Sequence, residues 1–340
     1  MLQQTQVATV IPYYQRYLES FPSIAALAGA DPQDLMSHWE GLGYYRRARS
    51  LHAAAKKIVA EHNGQFPQSY EEVLALPGIG RYTAGAILSI ACGQRKPIVE
   101  GNTQRLFSRW VAMRDISPQQ PAARTLLWNI AEAMLPRKDP GTFNQAAMEL
   151  GALVCTPRRP DCQHCPVATC CESLAAGIQE QIPGKVKQIQ YEDRKEFALV
   201  VSDRASSDRS EEDRGSPPRY LLREIPHGQR WAGLWDFPRT TREKVDSVQQ
   251  AAKTLSQQIG ITMVPDRCLM TLRHAVTKYR IELHVHAAYA RESLDSESGW
   301  RFLTAREMQE LPMSVTGRHI ADRLQNETAI LQDYESVSYT

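Results

Sequence analysis

The sequence predicts two domains in one chain, an all-α half followed by an α+β half. Three observations predict this fold class. The chain has 340 residues, more than one ordinary domain contains. Apolar residues recur at helical spacing through residues 1–176, whereas stretches typical of strands occur only within 195–340. Residues 177–194 combine Pro, Gly and charges and are predicted to be the linker.

The helices of the first half are predicted from periodicity and from their end signals. Asp31-Pro32 and Ser69-x-x-Glu72 are typical helix starts, and Asn63-Gly64 is a typical helix end. These predicted helices cover residues 7–21, 31–42, 45–64, 69–76, 122–136 and 143–155. In the second half, strands are predicted at 196–201 and 219–225, with two more within 267–290, and helices at 243–260 and 317–327.

Composition excludes several classes of protein. Hydrophobic residues make up 42% of the chain, yet no apolar run approaches the ~20 residues of a membrane span. The first residues lack the basic and apolar regions of a signal peptide, so a reducing, cytoplasmic compartment is expected. The net charge is only +2, so a nucleic-acid footprint must be local. Residues 41–57, with five basic residues and no acidic one, are either part of such a footprint or a solvated helix face.

A short Pro- and Gly-containing turn separates two predicted helices at residues 76–87, LPGIGRYTAGAI. Pro77 cannot continue the first helix, and Gly78 and Gly80 have access to backbone conformations that other residues rarely adopt. The turn directs the amides of Gly78, Gly80 and Arg81 outward at the start of the next helix. Such an anion site suits a DNA phosphate. Taken alone, the pattern also fits a plain helix–turn–helix connection.

Five of the seven cysteines fall within residues 155–171. In a chain without a secretory signal, such a cluster favours metal binding over disulfides. Four thiolates in a short loop hold either a zinc ion or a [4Fe–4S] cluster, and spacing alone does not choose between them.

These segments resemble the helix-hairpin-helix DNA glycosylases of the endonuclease III superfamily. The resemblance lies in residues 76–87, in Ile98 to Arg105, which is similar to that superfamily's V-D-G-N-V-x-R segment, and in the cysteine spacing. It implies a structural [4Fe–4S] cluster in the 155–171 loop, with Cys171 rather than Cys170 as the last ligand. The implied ligands are Cys155, Cys162, Cys165 and Cys171.

The segments MLQQTQVATV and GLGYYRRAR resemble one branch of that superfamily, the MutY-type adenine DNA glycosylases. The resemblance implies excision of adenine opposite 8-oxoguanine or guanine in double-stranded DNA by a monomer, associated with the nucleoid in a bacterium. Gln4 then enters the base stack near the lesion, Tyr44 is an aromatic wedge, and Gln145 reads the edge of adenine. The alternatives are a core aromatic for Tyr44 and an ordinary surface amide for Gln145.

The implied chemistry is hydrolysis of an N-glycosidic bond without strand cleavage. Bifunctional relatives carry a Schiff-base lysine where this chain has Tyr82, and a phenol cannot form an imine. Glu100 stands where the family has an aspartate that stabilises the cationic sugar, and Asn102 orients that region or is an ordinary polar cap. The family's general acid is a glutamate two residues before the segment that begins at Met1. We therefore expect an N-terminally truncated chain.

Two other functions remain open at this stage. A chain without the general acid is a lesion-binding protein that does not release the base. An iron–sulfur redox or regulatory DNA-binding protein is the third class. Release of adenine would distinguish a glycosylase from a lesion-binding protein. A change of cluster potential on DNA binding would support the redox or regulatory protein.

The second half resembles a Nudix-type domain. Residues 230–238, RWAGLWDFP, carry this resemblance, but the acid-rich box of Nudix hydrolases is absent, so nucleotide hydrolysis is rejected. The resemblance implies a lesion-recognition domain over residues 195–340. Its reading loop aligns with Val276-Thr277-Lys278, where Thr277 keeps a hydroxyl and the family's histidine is replaced.

Overall fold

The computed structural model describes residues 1–3, 5–114, 120–184, 190–203, 217–240, 245–292, 294 and 298–337, and side chains up to residue 326. The chain forms two compact units. One unit combines Met1–His52 with Ile189–Thr340, and the other is Ala53–Gln188. The first 52 residues, predicted as part of the helical domain, therefore pack in one unit with the strands of the second half.

The first half is helical, as predicted. Its α-helices are α1 (Val7–Ser20), α2 (Ile24–Gly29), α3 (Pro32–Trp39), α4 (Arg46–His62), α5 (Tyr70–Leu74), α6 (Arg81–Ile90), α7 (Gly101–Trp110), α8 (Pro121–Met134), α9 (Pro140–Glu149) and α10 (Glu172–Ala175). A π-helical turn, Leu150–Val154, extends α9, and a 3-10 turn covers Ala168–Cys170. The described residues up to 184 contain no strand.

The predicted caps explain where several helices begin and end. The Asp31 side chain accepts a hydrogen bond from the Gln33 amide at 2.7 Å, and Ser69 accepts one from the Glu72 amide at 3.2 Å. Helix α4 is followed by Asn63 and Gly64, whose φ angles of 52° and 76° place them in the left-handed region that ends helices. These start and end signals are confirmed.

Small residues allow α6, α7 and α9 to pack closely in the unit Ala53–Gln188. A Cβ on Gly85 would collide with the Pro97 carbonyl oxygen. A Cβ on Gly141 would lie 2.7 Å from the Ser89 carbonyl oxygen, and one on Gly151 would lie 2.9 Å from Asn102 Cβ. The missing side chains of Gly85 and Gly141 thus allow α6 to lie close to the segment before α7 and to α9.

The described residues of the second half form a six-stranded mixed sheet. Its strands are β1 (Glu192–Ser202), β2 (Arg219–Glu224), β3 (Trp235–Asp236), β4 (Met263–Val276), β5 (Tyr279–Ala290) and β6 (Trp300–Thr304), and its helices are α11 (Val248–Ile259), α12 (Ala305–Gln309) and α13 (Val315–Val337). The strand order is β3-β2-β1-β5-β4, with β6 also paired to β2. Strand β1 runs parallel to β5, and the other pairs are antiparallel.

Helices cover both faces of this sheet. Ala198 and Val200 of β1 belong to the apolar core that contains α13, whereas Leu199 and Val201 belong to the core that contains α11. Because successive strand residues point to opposite faces, burial on both faces explains the unbroken apolar run FALVV at residues 197–201.

The α+β prediction is confirmed, with local corrections. Strands β3 and β6 and helix α12 were not predicted, since each spans five residues or fewer. The helix predicted from residue 243 begins at Val248 instead, because the Ser247 side chain caps it by accepting from the Gln250 amide. Within the described ranges, no helix has the length and hydropathy to cross a bilayer.

Candidate functional site

Glu100 lies at the start of α7, in the unit Ala53–Gln188, and its side chain caps that helix. Oε1 accepts from the Thr103 amide and Oε2 from the Asn102 amide, both at 2.9 Å. The Thr103 hydroxyl accepts in turn from the Glu100 amide at 2.8 Å, which completes a capping box. The half-buried carboxylate is thus fixed at the positive end of a helix dipole.

Tyr82 is the second residue of α6 and is half-buried. Its hydroxyl donates to Met148 Sδ at 3.4 Å. Burial raises the pKa of the Tyr82 phenol, and the negative charge of Glu100 raises it further. The phenol therefore stays neutral near pH 7 and lies within electrostatic reach of the carboxylate.

Asn102 is tied to the cysteine loop through Arg105. Its side-chain oxygen accepts from Arg105 Nη2 at 3.0 Å, and Arg105 Nε donates to the Cys155 carbonyl at 2.7 Å. Burial lowers the pKa of this guanidinium. One side chain thus links the start of α7 to the first cysteine of the loop.

Gln145 is exposed on α9, whereas its neighbour Asn144 is 2% exposed. Asn144 Nδ2 donates to Ser89 Oγ at 2.8 Å and to the Lys96 carbonyl at 2.9 Å, and so holds α9 against α6 and the segment before Glu100. Sequence analysis missed Asn144. Its place on the buried stripe of α9, with Pro140, Gly141 and Ala147, was the available signal.

The turn between α5 and α6 has one glycine that its backbone requires. Gly78 has φ +78°, in the left-handed region, but Gly80 has φ −99° and open space where a Cβ would be. The expectation of unusual backbone conformations thus holds for Gly78 alone, because Gly80 is the extended N-cap of α6. Within the described ranges, the amides of Gly78, Gly80 and Arg81 find no acceptor. The Arg81 guanidinium lies 3.9 Å above the Trp128 ring centroid.

Four cysteines line one pocket. The lining includes Cys155, Cys162, Cys165 and Cys171, together with apolar residues such as Leu106, Trp110 and Leu174. Cys170 is exposed and is not part of that lining. Burial, and then the other three thiols, raise the pKa of Cys162. Among the described side chains, no three His, Cys, Asp or Glu groups converge tightly enough for a single metal ion.

Arg109 closes this pocket and is 1% exposed. Its Nε donates to the Ile182 carbonyl at 2.8 Å, and Nη1 donates to Cys155 Sγ at 3.2 Å and to the Thr156 carbonyl at 2.8 Å. No described carboxylate forms an ion pair with it. A buried cation that meets only neutral acceptors and a thiol fits an anionic group in the pocket, such as four thiolates around a cluster. Sequence analysis missed this residue.

The proposed lesion-reading residues lie in the other compact unit, except for Gln4, which falls outside the described residues. Tyr44 is 59% exposed with φ +48°, whereas Tyr45 is 6% exposed. The core-aromatic alternative is thus excluded for Tyr44. Thr277 has φ +54° at the tip of the β4–β5 hairpin, where its hydroxyl donates to the Val276 carbonyl at 2.7 Å.

A cluster of partly and fully buried polar side chains lies near the β4–β5 hairpin. Arg230 pairs with Glu196 and Arg239 with Asp236, each at 3.1 Å. Both ring nitrogens of His274 are buried without a partner in the described residues. Burial, with the nearby Arg239 and Arg230 charges, lowers the pKa of His274 to about 4.

His274 is expected to make folding stability pH-dependent. Its pKa is about 4 in the folded chain and about 6.5 in the unfolded chain, so its contribution is complete above pH 6.5. As pH falls from 6.5 toward 4, the unfolded chain takes up the proton first. The full shift corresponds to about 3 kcal/mol, and solvent screening of this partly exposed ring reduces the expected loss to about 2 kcal/mol. Urea unfolding of His274→Leu is expected to show a shallower decline over this window. His227→Leu, at an exposed histidine, is the control, and identical pH profiles for wild type and His274→Leu would contradict the assignment.

Glu40, just after α3, binds Arg318 of α13 within the same compact unit. Arg318 Nε donates to Glu40 Oε1 at 2.7 Å and Nη2 to Oε2 at 3.1 Å. The Met313 amide also donates to Oε2, at 3.0 Å. The two charged side chains are only about one-fifth exposed, at 20% and 19%. This ion pair links the residue that follows α3 to helix α13, which packs on the sheet.

Arg318→Ala is expected to destabilise the chain by about 2 kcal/mol, because it leaves the Glu40 carboxylate largely buried without a counter-charge. Arg280→Ala is the matched control. It removes an exposed pair with Asp193 at 2.7 Å and is expected to cost less than about 1 kcal/mol. Denaturant unfolding measures both. The double variant Glu40→Arg/Arg318→Glu should lose less stability than the sum of its two single substitutions. A loss equal to that sum would contradict the pairing.

Comparisons with known proteins match the two halves separately and the chain as a whole. The family described as HhH-GPD superfamily base excision DNA repair protein matches residues 1–132, and the NUDIX domain family matches residues 214–323. The adenine DNA glycosylase of Mus musculus is 37% identical over 325 residues, which cover 86% of this chain and 62% of that protein. The adenine DNA glycosylase of Rattus norvegicus is 34% identical over 362 residues, 94% of this chain and 69% of that protein.

The chain thus spans 62% and 69% of the length of these two curated relatives. A solved thermostable thymine-DNA glycosylase is 23% identical with a TM-score of 0.47, over 52% of this chain and 80% of that one. The two family matches confirm both predicted resemblances and their order along the chain.

Proposed function

The chain belongs to the adenine DNA glycosylase family, and on that premise we propose that it removes adenine from DNA. The proposed substrate is duplex DNA with adenine opposite 8-oxoguanine or guanine. The proposed reaction is hydrolysis of the N-glycosidic bond after the adenine is flipped out of the stack. The proposed acting form is a monomer in the cytoplasm, associated with the nucleoid if the source is a bacterium.

The observation that carries this proposal is the arrangement of Glu100, Tyr82 and Asn102. A carboxylate fixed at a helix N-terminus supplies a preorganised negative charge for a sugar that becomes cationic as the base departs. The neutral Tyr82 phenol nearby offers a hydroxyl and no amine. This supports a monofunctional reaction without a Schiff base. Asn102, held by Arg105, lines the same helix start.

DNA engagement is assigned to both compact units, each on its own evidence. In one unit, the free amides of Gly78, Gly80 and Arg81 support phosphate binding at the α6 N-terminus. In the other, the exposed Tyr44 supports the wedge, and Thr277 at a hairpin tip supports contact with the lesion. Gln4 and Gln145 stay predictions from the resemblance.

We assign a [4Fe–4S] cluster to Cys155, Cys162, Cys165 and Cys171. All four line one pocket, and the buried Arg109 beside them supports a group with negative charge. When bound, the cluster would brace the loop between α9 and α10. Through Arg105, which binds both Asn102 and the Cys155 carbonyl, that loop supports the start of α7.

Adenine release tests the function. The chain is incubated with duplexes that carry adenine opposite 8-oxoguanine, guanine or thymine, and strands are analysed with and without alkali. When the chain is extended to include the family's glutamate two residues before Met1, we expect abasic sites with the first two duplexes, strand breaks only after alkali, and loss of release in Glu100→Gln. Breaks without alkali would contradict the monofunctional assignment, and release from the thymine duplex alone would overturn the substrate assignment.

Lesion binding without base release is the second candidate function. The observations that favour it are the exposed Tyr44 and the position of Thr277 at a hairpin tip, which support contact with the lesion without any catalytic group. Tight, mispair-selective binding with no adenine release in the same experiment would select this function over catalysis.

Tyr44→Ala is expected to weaken binding to the adenine:8-oxoguanine duplex about tenfold, since a stacked aromatic contributes about 1–3 kcal/mol per base. Binding to a fully paired duplex should change little. Tyr14→Ala is the control, because Tyr14 is a comparably exposed tyrosine, at 54%, on α1. Fluorescence anisotropy titrations measure both duplexes, and unchanged mispair affinity in Tyr44→Ala would remove the wedge assignment.

A further inference from the structure

We propose that Arg47 is the positioning residue for the Tyr44 wedge, an inference that rests on the proposed function. The Arg47 guanidinium joins two segments of the same compact unit. Nη1 donates to the carbonyls of Met1, at 2.8 Å, and of Gln3. Nη2 donates to Thr5 Oγ1 at 3.1 Å. The same Nη2 also donates to the carbonyls of Leu42 and Gly43, at 3.2 and 3.1 Å.

The loop that Arg47 binds has an unfavourable backbone. Gly41, Gly43 and Tyr44 all have positive φ, at 91°, 68° and 48°. Glycine tolerates this region, but a left-handed tyrosine costs about 1–2 kcal/mol. Such a conformation persists only where surrounding contacts determine it. The donors on the Leu42 and Gly43 carbonyls come from Arg47, three residues after the tyrosine, and supply such contacts.

The guanidinium also lies between a buried ring and the exposed one. Its central carbon is 5.4 Å from the ring centroid of Trp39 and 5.4 Å from that of Tyr44. Trp39 is 1% exposed, and its indole N–H donates to the Gly43 carbonyl at 3.1 Å. The guanidinium thus contacts the buried Trp39 ring and the Tyr44 ring. The Tyr44 side chain remains at the surface, with 59% of its area exposed.

This arrangement needs the shape of arginine as well as its charge. The acceptors of Arg47 are carbonyls and a hydroxyl, and no described carboxylate pairs with it. A planar fork with five donors spreads over several separate acceptors and stacks flat on rings, whereas a lysine ammonium offers three donors from a single atom and has no plane to stack. Arg47→Lys therefore keeps the positive charge and removes the positioning. Arg46→Lys, at the exposed neighbouring arginine, is the matched control.

The test is a double-mutant cycle on DNA binding. Wild type, Arg47→Lys, Tyr44→Ala and the double variant are titrated with the adenine:8-oxoguanine duplex and with a fully paired duplex of the same sequence, at several salt concentrations. We expect Arg47→Lys to lower the ratio of the two affinities about fivefold to tenfold and to leave the slope of log affinity against log salt unchanged. In the Tyr44→Ala background, Arg47→Lys should lower that ratio no further.

Two outcomes would overturn the inference. An additive loss in the double variant would mean that Arg47 acts independently of Tyr44. An equal loss on both duplexes with a smaller salt slope would make Arg47 a phosphate contact instead. A wild type without mispair preference would remove the proposed function, whereas a preference untouched by Arg47→Lys would remove only this inference. If Arg47→Lys does not fold, Trp39→Phe replaces it in the cycle, because it deletes the indole donor to the Gly43 carbonyl. It is expected to lower the ratio of mispair to fully paired affinity in wild type and not in the Tyr44→Ala background.

Discussion

Cys162→Ser is expected to lower the iron content of the purified protein from about four atoms per chain to less than one, with loss of the cluster's visible absorption. Cys162 lines the pocket together with Cys155, Cys165 and Cys171, and its pKa responds to the charge of all three. A serine hydroxyl replaces a soft thiolate ligand poorly. Iron analysis and absorption spectroscopy of anaerobically purified protein measure the effect.

The same variant should also lose amide protection in residues 150–175, since metal binding and local folding are coupled. The neighbouring Cys170 provides the control. It is exposed and is not part of the pocket lining, so Cys170→Ser should keep its iron and its protection. A full iron complement in Cys162→Ser, or iron loss in Cys170→Ser, would contradict the ligand assignment.

Arg109→Met is expected to destabilise the chain by about 3 kcal/mol and to reduce cluster retention. Methionine fills a similar volume but leaves the carbonyls of Ile182 and Thr156 without their buried donor, and each such orphan costs about 1–3 kcal/mol. It also removes the positive charge beside Cys155 Sγ. Thermal and denaturant unfolding measure the loss.

The control for Arg109 is Arg158→Met, at an exposed arginine of the same loop. Its effect should stay within about 0.5 kcal/mol, as for most surface substitutions. If Arg109 balances an anionic cluster, the difference between wild type and Arg109→Met should shrink once iron is removed by chelation. An identical difference with and without iron would show that Arg109 acts only through its carbonyl acceptors.

Local signals in the sequence predicted local structure well. The caps at Asp31 and Ser69 and the stop at Asn63 depend on a few neighbouring residues, so the sequence alone predicts them. Gly80 shows the limit of this reasoning. Its residue type suggested an unusual backbone, but the φ of −99° follows from its place as an N-cap.

Tertiary burial was the part that the sequence did not reveal. Arg109 and Asn144 look like ordinary polar residues on amphipathic helices, yet packing encloses both and gives each several acceptors. His274 is similar, because burial, and then the charges of Arg239 and Arg230 from the segments that flank β3, lower its pKa. The contact of Glu40 with Arg318 joins residues 278 positions apart, beyond the reach of any short motif.

The resemblance predicted which residues matter at the candidate site, and the structure adds how they are held. Glu100 was named for its charge alone, and nothing in its spacing indicated that Thr103 and Asn102 amides bind both oxygens. Tyr44 and Tyr45 are adjacent tyrosines, and only the fold shows that the first is exposed and the second buried.

The capping box at Glu100 also has an evolutionary consequence. One carboxylate begins a helix and supplies the charge proposed for the reaction, so selection acts on folding and on chemistry through the same two oxygens. Drift between glutamate and aspartate keeps both roles open, because either side chain presents two acceptors to the helix start. A lineage that abandons the reaction is still expected to keep an acceptor side chain at position 100, for the sake of the helix that begins there.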